Sequence, residues 1–372
     1  MATTNVPTGS ALANKLFAAK LMEEAITETY VNKFVGDGNI LYRKDELSSK
    51  AGDQITYQLG YVPSGVGRTE GETLEGNEEA LNMFTDTLVI NQLRFGMRSP
   101  SKQSIEQKRV QFDFREHMYS LTKKWLATRV DSWFFNQLAG NTATSFTVEG
   151  TTYAGADRTK VLGFNTATAP STNRVIRAGG AATDQALTSA DVFTLNIVDA
   201  CLERAMVPIN GPIIQPVKVG GQDKYVMLIS PEQYTDLKRD TTSAIQWFDI
   251  QTSAMQGGKI DSNPIYTNAI GEYAGVIFHK STRLPAGVNS STSATVANTK
   301  RAIFCGAGAG CVAFGNAGKG YEGSLSWAEE TFDYGDRMGI AVNLIGGLSK
   351  SVFNSEDYAV ITVPTYAASH TS

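Results

Sequence analysis

At the start of the chain, apolar residues recur at steps of three and four: Leu12, Leu16, Ala19, Met22, Ile26, Tyr30 and Phe34. This spacing predicts one face of an amphipathic helix over Ala11 to Phe34, with Ser10 as its cap. Gly36, Asp37 and Gly38 separate it from the rest of the chain, which suggests an N-terminal arm that packs elsewhere, another copy of the chain included. From Gly52 to Leu93 the pattern changes. Gln54 to Leu59 alternates polar and apolar, Asp86 to Asn91 does so in part, and the stretch between is polar, acidic and Gly-rich. Two strands with a long connection that has little to bury predict an extended hairpin.

The strongest helical pattern runs from Ser101 to Leu138, with Ile105, Val110, Phe114, Met118, Leu121, Trp125, Asp131, Phe135 and Leu138 along one side. Such a rod would be about 50 Å long. Gly140 ends it. Asn141 to Leu187 is rich in Thr, Ala, Gly and Asn and reads as an irregular surface excursion. A second helix is expected over Ser189 to Met206, capped by Thr188 or Ser189. Beyond it strands and helices alternate. Tyr225 to Ile229 reads as a buried strand, and Ser230-Pro231-Glu232-Gln233 starts a helix that continues to Lys238. Trp247 to Met255 reads as a short helix, and Gly275 to His279, Arg301 to Phe304 and Cys311 to Phe314 read as strands. Gly335 to Leu348 and Asp357 to Thr365 are two β runs around a turn.

Over the 372 residues, Lys plus Arg total 33 against 37 Asp plus Glu, a net charge of -4. A protein coated with nucleic acid would carry a basic excess, because neutralising phosphates drives such binding. Cys201, Cys305 and Cys311 form no dense framework, which suits a reducing compartment without structural disulfides. Met1 to Ser10 has no secretion-signal pattern, and no apolar stretch approaches the roughly 18 residues needed to span a bilayer.

The candidate chemical motifs fail on context. Cys305-Gly306-Ala307-Gly308-Ala309-Gly310 comes after a strand, as a dinucleotide loop must. The next segment, Cys311 to Phe314, is β-like and ends at Gly315, so no helix N-terminus is available for a pyrophosphate. The Gly-rich run reads instead as a flexible turn between strands. Neither a Gly-x-Ser-x-Gly elbow nor His-Glu-x-x-His occurs, and no histidine or further cysteine stands at metal-ligand spacing from Cys305 and Cys311. His117 lies within the long helix, where packing is the expected role. Neither an enzyme activity nor a cofactor is expected. The acidic run Glu70, Glu72, Glu75, Glu78 and Glu79 lacks the Asp-rich loop of a calcium hand. With Arg68, Arg94 and Arg98 bracketing it, the run suggests a solvated charged face or polar pairing across subunits.

Several segments in series resemble a known family. They are Gly52-Asp53-Gln54-Ile55-Thr56-Tyr57-Gln58-Leu59, Leu74-Glu75-Gly76-Asn77-Glu78-Glu79, Gln107-Lys108-Arg109, Lys124-Trp125-Leu126 and Asp131 to Gly140. Later come Tyr225 to Gln233, Trp247, Asn263-Pro264-Ile265-Tyr266, Ile270-Gly271-Glu272-Tyr273, Gly335 to Lys350 and Asp357 to Thr365. In their order and spacing they resemble the major capsid protein family of N4-like and related tailed bacteriophages.

That resemblance implies the α+β fold shared by tailed-phage and herpesvirus shells, divided here into five parts. They are an N-terminal arm (1–45), an extended loop (46–98), a peripheral domain with a spine helix and the Thr/Gly-rich insertion (99–188), an axial α/β domain (189–335), and a return to the peripheral domain with the tail (336–372). It implies self-assembly into hexamers and pentamers of an icosahedral shell around double-stranded DNA, in a virion assembled in the bacterial cytoplasm. Scaffolding, portal and decoration or cement proteins would be partners, with no membrane. Phe17, Met22 and Phe34 would anchor the arm on a neighbour; Arg68, Glu70, Glu72, Glu75, Arg94 and Arg98 would contact other subunits. Phe114, Trp125, Trp133 and Phe135 would fix the spine helix in its core. Some shells of this fold cross-link a loop lysine to an asparagine, but no lysine lies between Lys50 and Lys102. Rival readings are another virion protein (portal, tail tube or decoration), an encapsulin-like compartment shell, or an enzyme.

Overall fold

Strict alternation builds the longest strand. Along Arg337–Lys350 the side chains of Met338, Ile340, Val342 and Leu344 are buried while their neighbours are half-buried or exposed, the period-two pattern of a strand with one face on a core. The computed structural model describes residues 29–36, 38–44, 52–60, 66–78, 83–99, 114–209, 211–240, 271–315, 325–334 and 337–370. The chain is α+β, built on two main sheets.

The early strands are β1 (Leu41–Lys44), β2 (Gln54–Gly60), β3 (Met83–Val89) and β4 (Asn91–Arg98), followed by helix α1 (Phe114–Leu138). Next come β5 (Ser145–Val148), β6 (Thr151–Ala154), α2 (Ala156–Val161), α3 (Leu195–Met206), β7 (Val217–Val219), β8 (Gln222–Ile229) and α4 (Pro231–Arg239). The remainder is β9 (Gly271–Tyr273), β10 (Val276–Lys280), β11 (Gly287–Val288), β12 (Thr295–Val296), β13 (Thr299–Cys305), β14 (Gly310–Phe314), β15 (Leu325–Phe332), β16 (Arg337–Lys350), β17 (Val352–Phe353), β18 (Glu356–Asp357) and β19 (Val360–Tyr366).

The first sheet has five strands in the order β1-β14-β16-β15, with β4 also on β16. Helix α1 packs on β16, and its last turns are buried on all sides, with Trp133, Phe134, Phe135 and Leu138 fully enclosed. The second sheet has six strands, β19-β13-β8-β10-β9 with β7 on β8. Its central strands are near-continuous apolar runs because both faces are covered. Tyr225 to Ile229 and Ala302 to Cys305 are buried without alternation.

Helix α4 starts as its sequence predicts. Pro231 occupies the first turn, the Gln233 N–H donates to Ser230 Oγ at 3.2 Å, and the Ser230 N–H donates to Gln233 Oε1 at 2.9 Å. This reciprocal pair satisfies two donors that every helix leaves orphaned at its start. Helix α3 begins only at Leu195, six residues after the expected start. Thr188 turns locally onto Asp191 Oδ2 with its N–H and hydroxyl, both at 2.8 Å, instead of capping.

Three further expectations are corrected. Residues 141–187 are a surface excursion only in part: 149–160 are exposed or half-buried, but Val161, Leu162, Ala167, Arg174, Ala178 and Asp184 are all buried, and Asp184 and Asn165 fasten other elements. The two closing β runs go to different sheets. Strand β16 joins the first, whereas β19 pairs antiparallel with β13 in the second, Cys305 opposite Val360. The 305–310 turn is fixed, not flexible, and carries the chain from one sheet to the other, so β14 and β15 pair in the sheet under α1. The N–H groups of Gly306, Ala307 and Gly308 donate to the carbonyls of Ala359, Gln215 and Asn39 at 2.9, 2.8 and 3.0 Å. Gly308 has φ +77°, and a Cβ at Gly306 would overlap Ile214 and the Gln215 carbonyl, which explains the small residues there.

The expected arm helix lies outside the described residues except at its end, where Tyr30–Phe34 is a 3₁₀ turn against α1. Residues 101–113 of the long helix and the Trp247 to Met255 helix also lie outside them. Over its described length α1 spans roughly 37 Å at 1.5 Å per residue.

Candidate assembly interface

Strands β2 and β3 form a seven-pair antiparallel ribbon, from Gln54 opposite Val89 to Gly60 opposite Met83. Its root is apolar: Ile55, Tyr57, Leu88 and Ile90 pack with Cys311, Ala313 and Phe353. Two polar anchors fix the root. The Tyr57 hydroxyl donates to Asp86 Oδ2 at 3.0 Å, and the Val352 N–H donates to the same oxygen at 3.0 Å. Asn165 is bonded to both main-chain groups of Val89. Beyond the root, residues 66–78 are exposed throughout, and they are held by local bonds. Arg68 Nη2 donates to Asn77 Oδ1 at 2.9 Å, the Thr69 N–H to Glu72 Oε2 at 3.0 Å, and the Gly76 N–H to Glu78 Oε2 at 2.8 Å. Val66 and Leu74 are fully and 63% exposed.

The structure does not gather the expected contact residues in one place. Arg68, Glu70, Glu72 and Glu75 share the outer hairpin, and none forms an ion pair among the described residues. Arg94 and Arg98 lie on β4 in the first sheet, both exposed, and the Arg98 guanidinium sits 4.6 Å over the Phe332 ring. Phe17 and Met22 fall outside the described residues. Phe34 is 6% exposed within its own chain, stacked 6.0 Å from Phe134 and edge-on to His279 at 5.2 Å. Phe34 is thus packed against α1 and β10 of its own chain.

Of the expected spine-helix core, Trp133 and Phe135 are completely buried, and the Trp133 indole N–H donates to the Lys160 carbonyl at 2.8 Å. Trp125 is half-buried, stacked at 4.2 Å on Phe95 of β4, and Phe114 is half-buried at the start of the described helix. His117 is exposed.

The groups that fasten the elements together were not anticipated. Asp131 of α1 accepts the N–H groups of Tyr30 and Val31 at 3.3 and 3.2 Å and the Arg283 guanidinium, joining arm base, helix and the segment after β10. Burial pushes its carboxyl up to about 6, against the pull of Arg283 and the two N–H donors. A second centre is Asp184, where Arg301 Nε and Nη2 donate at 2.9 and 2.6 Å, Arg177 Nε at 2.8 Å and the Val288 N–H at 3.1 Å. Burial pushes that carboxyl up, but Arg301, Arg177 and the Val288 N–H together outweigh it and hold it below the usual range. Arg301 Nη1 also donates to the Ala139 and Gly140 carbonyls at 3.2 and 2.8 Å, capping the end of α1. The third is Lys350 with Asp357, 2.6 Å apart and almost wholly enclosed. Asp131 carried a signal, a carboxylate on an apolar helix stripe; the others are joined only by the fold.

The three cysteines are buried and unpaired, and burial pushes the Cys311 thiol up to about 12. Among the described residues, no group of three or more His, Cys, Asp or Glu side chains is arranged to hold a metal, and no helix is long and apolar enough to cross a membrane. A cleft of about 240 Å³ between the β5–β6 hairpin and residues 282–300 contains Glu149, Arg283 and Lys300. Its arginine is engaged by Asp131, Glu149 and Thr128.

Buried fasteners thus join the elements of the two sheets, and the charged hairpin stands outside them. The chain belongs to the family described as phage capsid protein, which matches residues 5–369. It is 26% identical over 375 residues to the major capsid protein of Pseudomonas phage KPP25, covering 94% of this chain and 93% of that one. Among solved structures, the capsid of Ralstonia phage GP4 matches with a TM-score of 0.73 at 24% identity, covering 100% of this chain and 95% of that one. The Cyanophage Pam1 capsid asymmetric unit matches at 0.66 and 19%, covering 92% and 93%. These two likenesses establish the shared fold.

Proposed function

We propose that this chain is the major capsid protein of a tailed phage, assembling into hexamers and pentamers that close as an icosahedral shell around double-stranded DNA. The observation that carries the reading is the family match along nearly the whole chain, residues 5–369. In this reading residues 1–45 are the arm, 46–98 the extended loop, and α1 the spine of a peripheral domain. The second sheet with α3 and α4 forms the axial domain. The exposed hairpin supports a role across subunits, with Arg68, Glu70, Glu72 and Glu75 facing a neighbouring copy, and Arg94 and Arg98 available on β4. Closed shells place one surface in several slightly different settings, which suits a lever rooted firmly at Tyr57 and Leu88 and free beyond. A net charge of -4 suits a wall that contains DNA without gripping it along its length. Scaffolding and portal proteins are the partner classes proposed for this role, with a decoration or cement protein as an optional addition.

The test is negative-stain electron microscopy of the purified full chain, expressed alone and with the scaffolding protein of its phage. Closed shells, or rings of five and six, are the expected result. A uniform monomer or dimer in both preparations at every salt concentration overturns the reading.

A further inference from the structure

We infer that the loop joining α3 to β7 is a contact between copies of this chain, with Met206, Val207, Ile209 and Ile213 as its apolar anchors; the inference rests on the shell-forming reading above. These four side chains are 57, 70, 63 and 54% exposed, the densest group of large exposed apolar residues in the described chain. They offer a few hundred Å² of apolar surface, as much as the largest patch on an ordinary monomer and a sizeable share of the ~800 Å² each partner gives to a stable interface.

The loop is built to hold them outward. The Ile214 N–H donates to the Ala205 carbonyl at 3.1 Å, closing its base. The Tyr225 hydroxyl donates to the Ile214 carbonyl at 3.0 Å, and the Ala307 N–H to the Gln215 carbonyl at 2.8 Å. The guanidinium of Arg174, itself fully buried, donates to the Pro212 carbonyl from beneath. Pro212 and Ile214 point inward while the residues around them point out. Three prolines, Pro208, Pro212 and Pro216, restrict the backbone further. Little ordering entropy is left to lose when such a loop is covered.

Its chemistry selects the partner. From Ala205 to Val217 the sequence has no Asp, Glu, Lys or Arg, matching the charge-depleted core of a protein interface and excluding nucleic acid, which requires cations. In a shell made of repeated copies, the surface that meets every capsomer position is another copy of the same chain. Its own subunit leaves more than half of each of the four residues uncovered.

The test places a photo-crosslinking amino acid at Val207 in the full chain and, separately, makes Ile209→Asp. Both sites are exposed, so thermal unfolding of each variant should match wild type. The expected result is a covalent dimer of the chain in irradiated shells, with the cross-link mapped to a second copy, and at least a tenfold rise in the concentration Ile209→Asp needs to assemble. Cross-links confined to the same chain or to another virion protein overturn the inference, as does assembly of Ile209→Asp at wild-type concentration. A wild type that never assembles fails the shell-forming reading itself, and this contact with it.

Discussion

The side chain of Asn165 pairs with Val89 as a strand would. Its Oδ1 accepts the Val89 N–H at 2.9 Å, and its Nδ2 donates to the Val89 carbonyl at 2.9 Å. Nδ2 also lies 2.9 Å from the Gly163 carbonyl and 3.2 Å from that of Leu348. One amide therefore ties the end of the hairpin to β16 and to the turn after α2. Asn165→Asp keeps the acceptor but replaces the donor with a carboxylate facing three carbonyls. We expect it to destabilise the chain by roughly 2–3 kcal/mol, more than Asn165→Ala at about 1–2, in urea unfolding of the unassembled chain. Equal losses for the two variants would show that a carboxylate set against the three carbonyls costs no more than deleting the amide.

Arg301 links the Asp184 carboxylate to the last carbonyls of α1, and lysine cannot reach both with one ammonium. Arg301→Ala should cost about 3–5 kcal/mol, because Asp184 is left buried with part of its pairing gone. Arg301→Lys should recover less than half of that. In a double-mutant cycle with Asp184→Asn the losses should be clearly non-additive; additive losses would mean the two groups act independently.

Asp131 makes stability depend on pH. Its folded value, about 6, lies above the ~3.9 of an unfolded aspartate. The folded state thus binds the proton more tightly, and the contribution is complete below about pH 4 and lost as pH rises through 6. Denaturant unfolding should show wild type losing up to ~3 kcal/mol relative to Asp131→Asn between pH 4 and pH 7. Parallel profiles for the two proteins would remove Asp131 as the source.

Gly306 has no room for a methyl group beside Ile214 and the Gln215 carbonyl. Gly306→Ala should cost about 1–3 kcal/mol through forced displacement of the crossing between sheets. Gly220→Ala makes a useful control, since its φ of +60° is strained but its space is open. Heat denaturation reads both: Gly306, which has no positive φ, can lose stability only through crowding, so an unchanged midpoint for Gly306→Ala would show that the crossing yields to a methyl group.

Local patterns made much of this fold legible. Pro231 and Gln233 mark α4, alternation marks β2, and the apolar stripe through Met118, Trp125 and Phe135 marks α1. The features that stayed hidden depend on contacts far apart in the chain. Nothing near Lys350 indicates that Asp357 folds back onto it, and nothing near Asp184 indicates Arg301, 117 residues away. The Thr/Gly-rich 141–187 segment reads as peripheral because most of its polar residues do meet solvent, and the few that are buried, Asn141, Arg174 and Asp184, carry no local mark. Strand β19 could not be assigned to a sheet from its own composition, since partners are chosen by tertiary pairing. The charges of the outer hairpin are visible in the sequence, but the packing of Phe34 within its own chain is not, because an apolar residue near a terminus reads the same whether it packs on its own subunit or on another.

The most direct test of shell formation is a cryo-electron-microscopy reconstruction of the particles this chain forms. The predicted result is five- and six-fold capsomers in a closed icosahedral shell, with residues 66–78 of each copy lying against a neighbour. Particles without these symmetries, or a hairpin facing solvent in every copy, would contradict it.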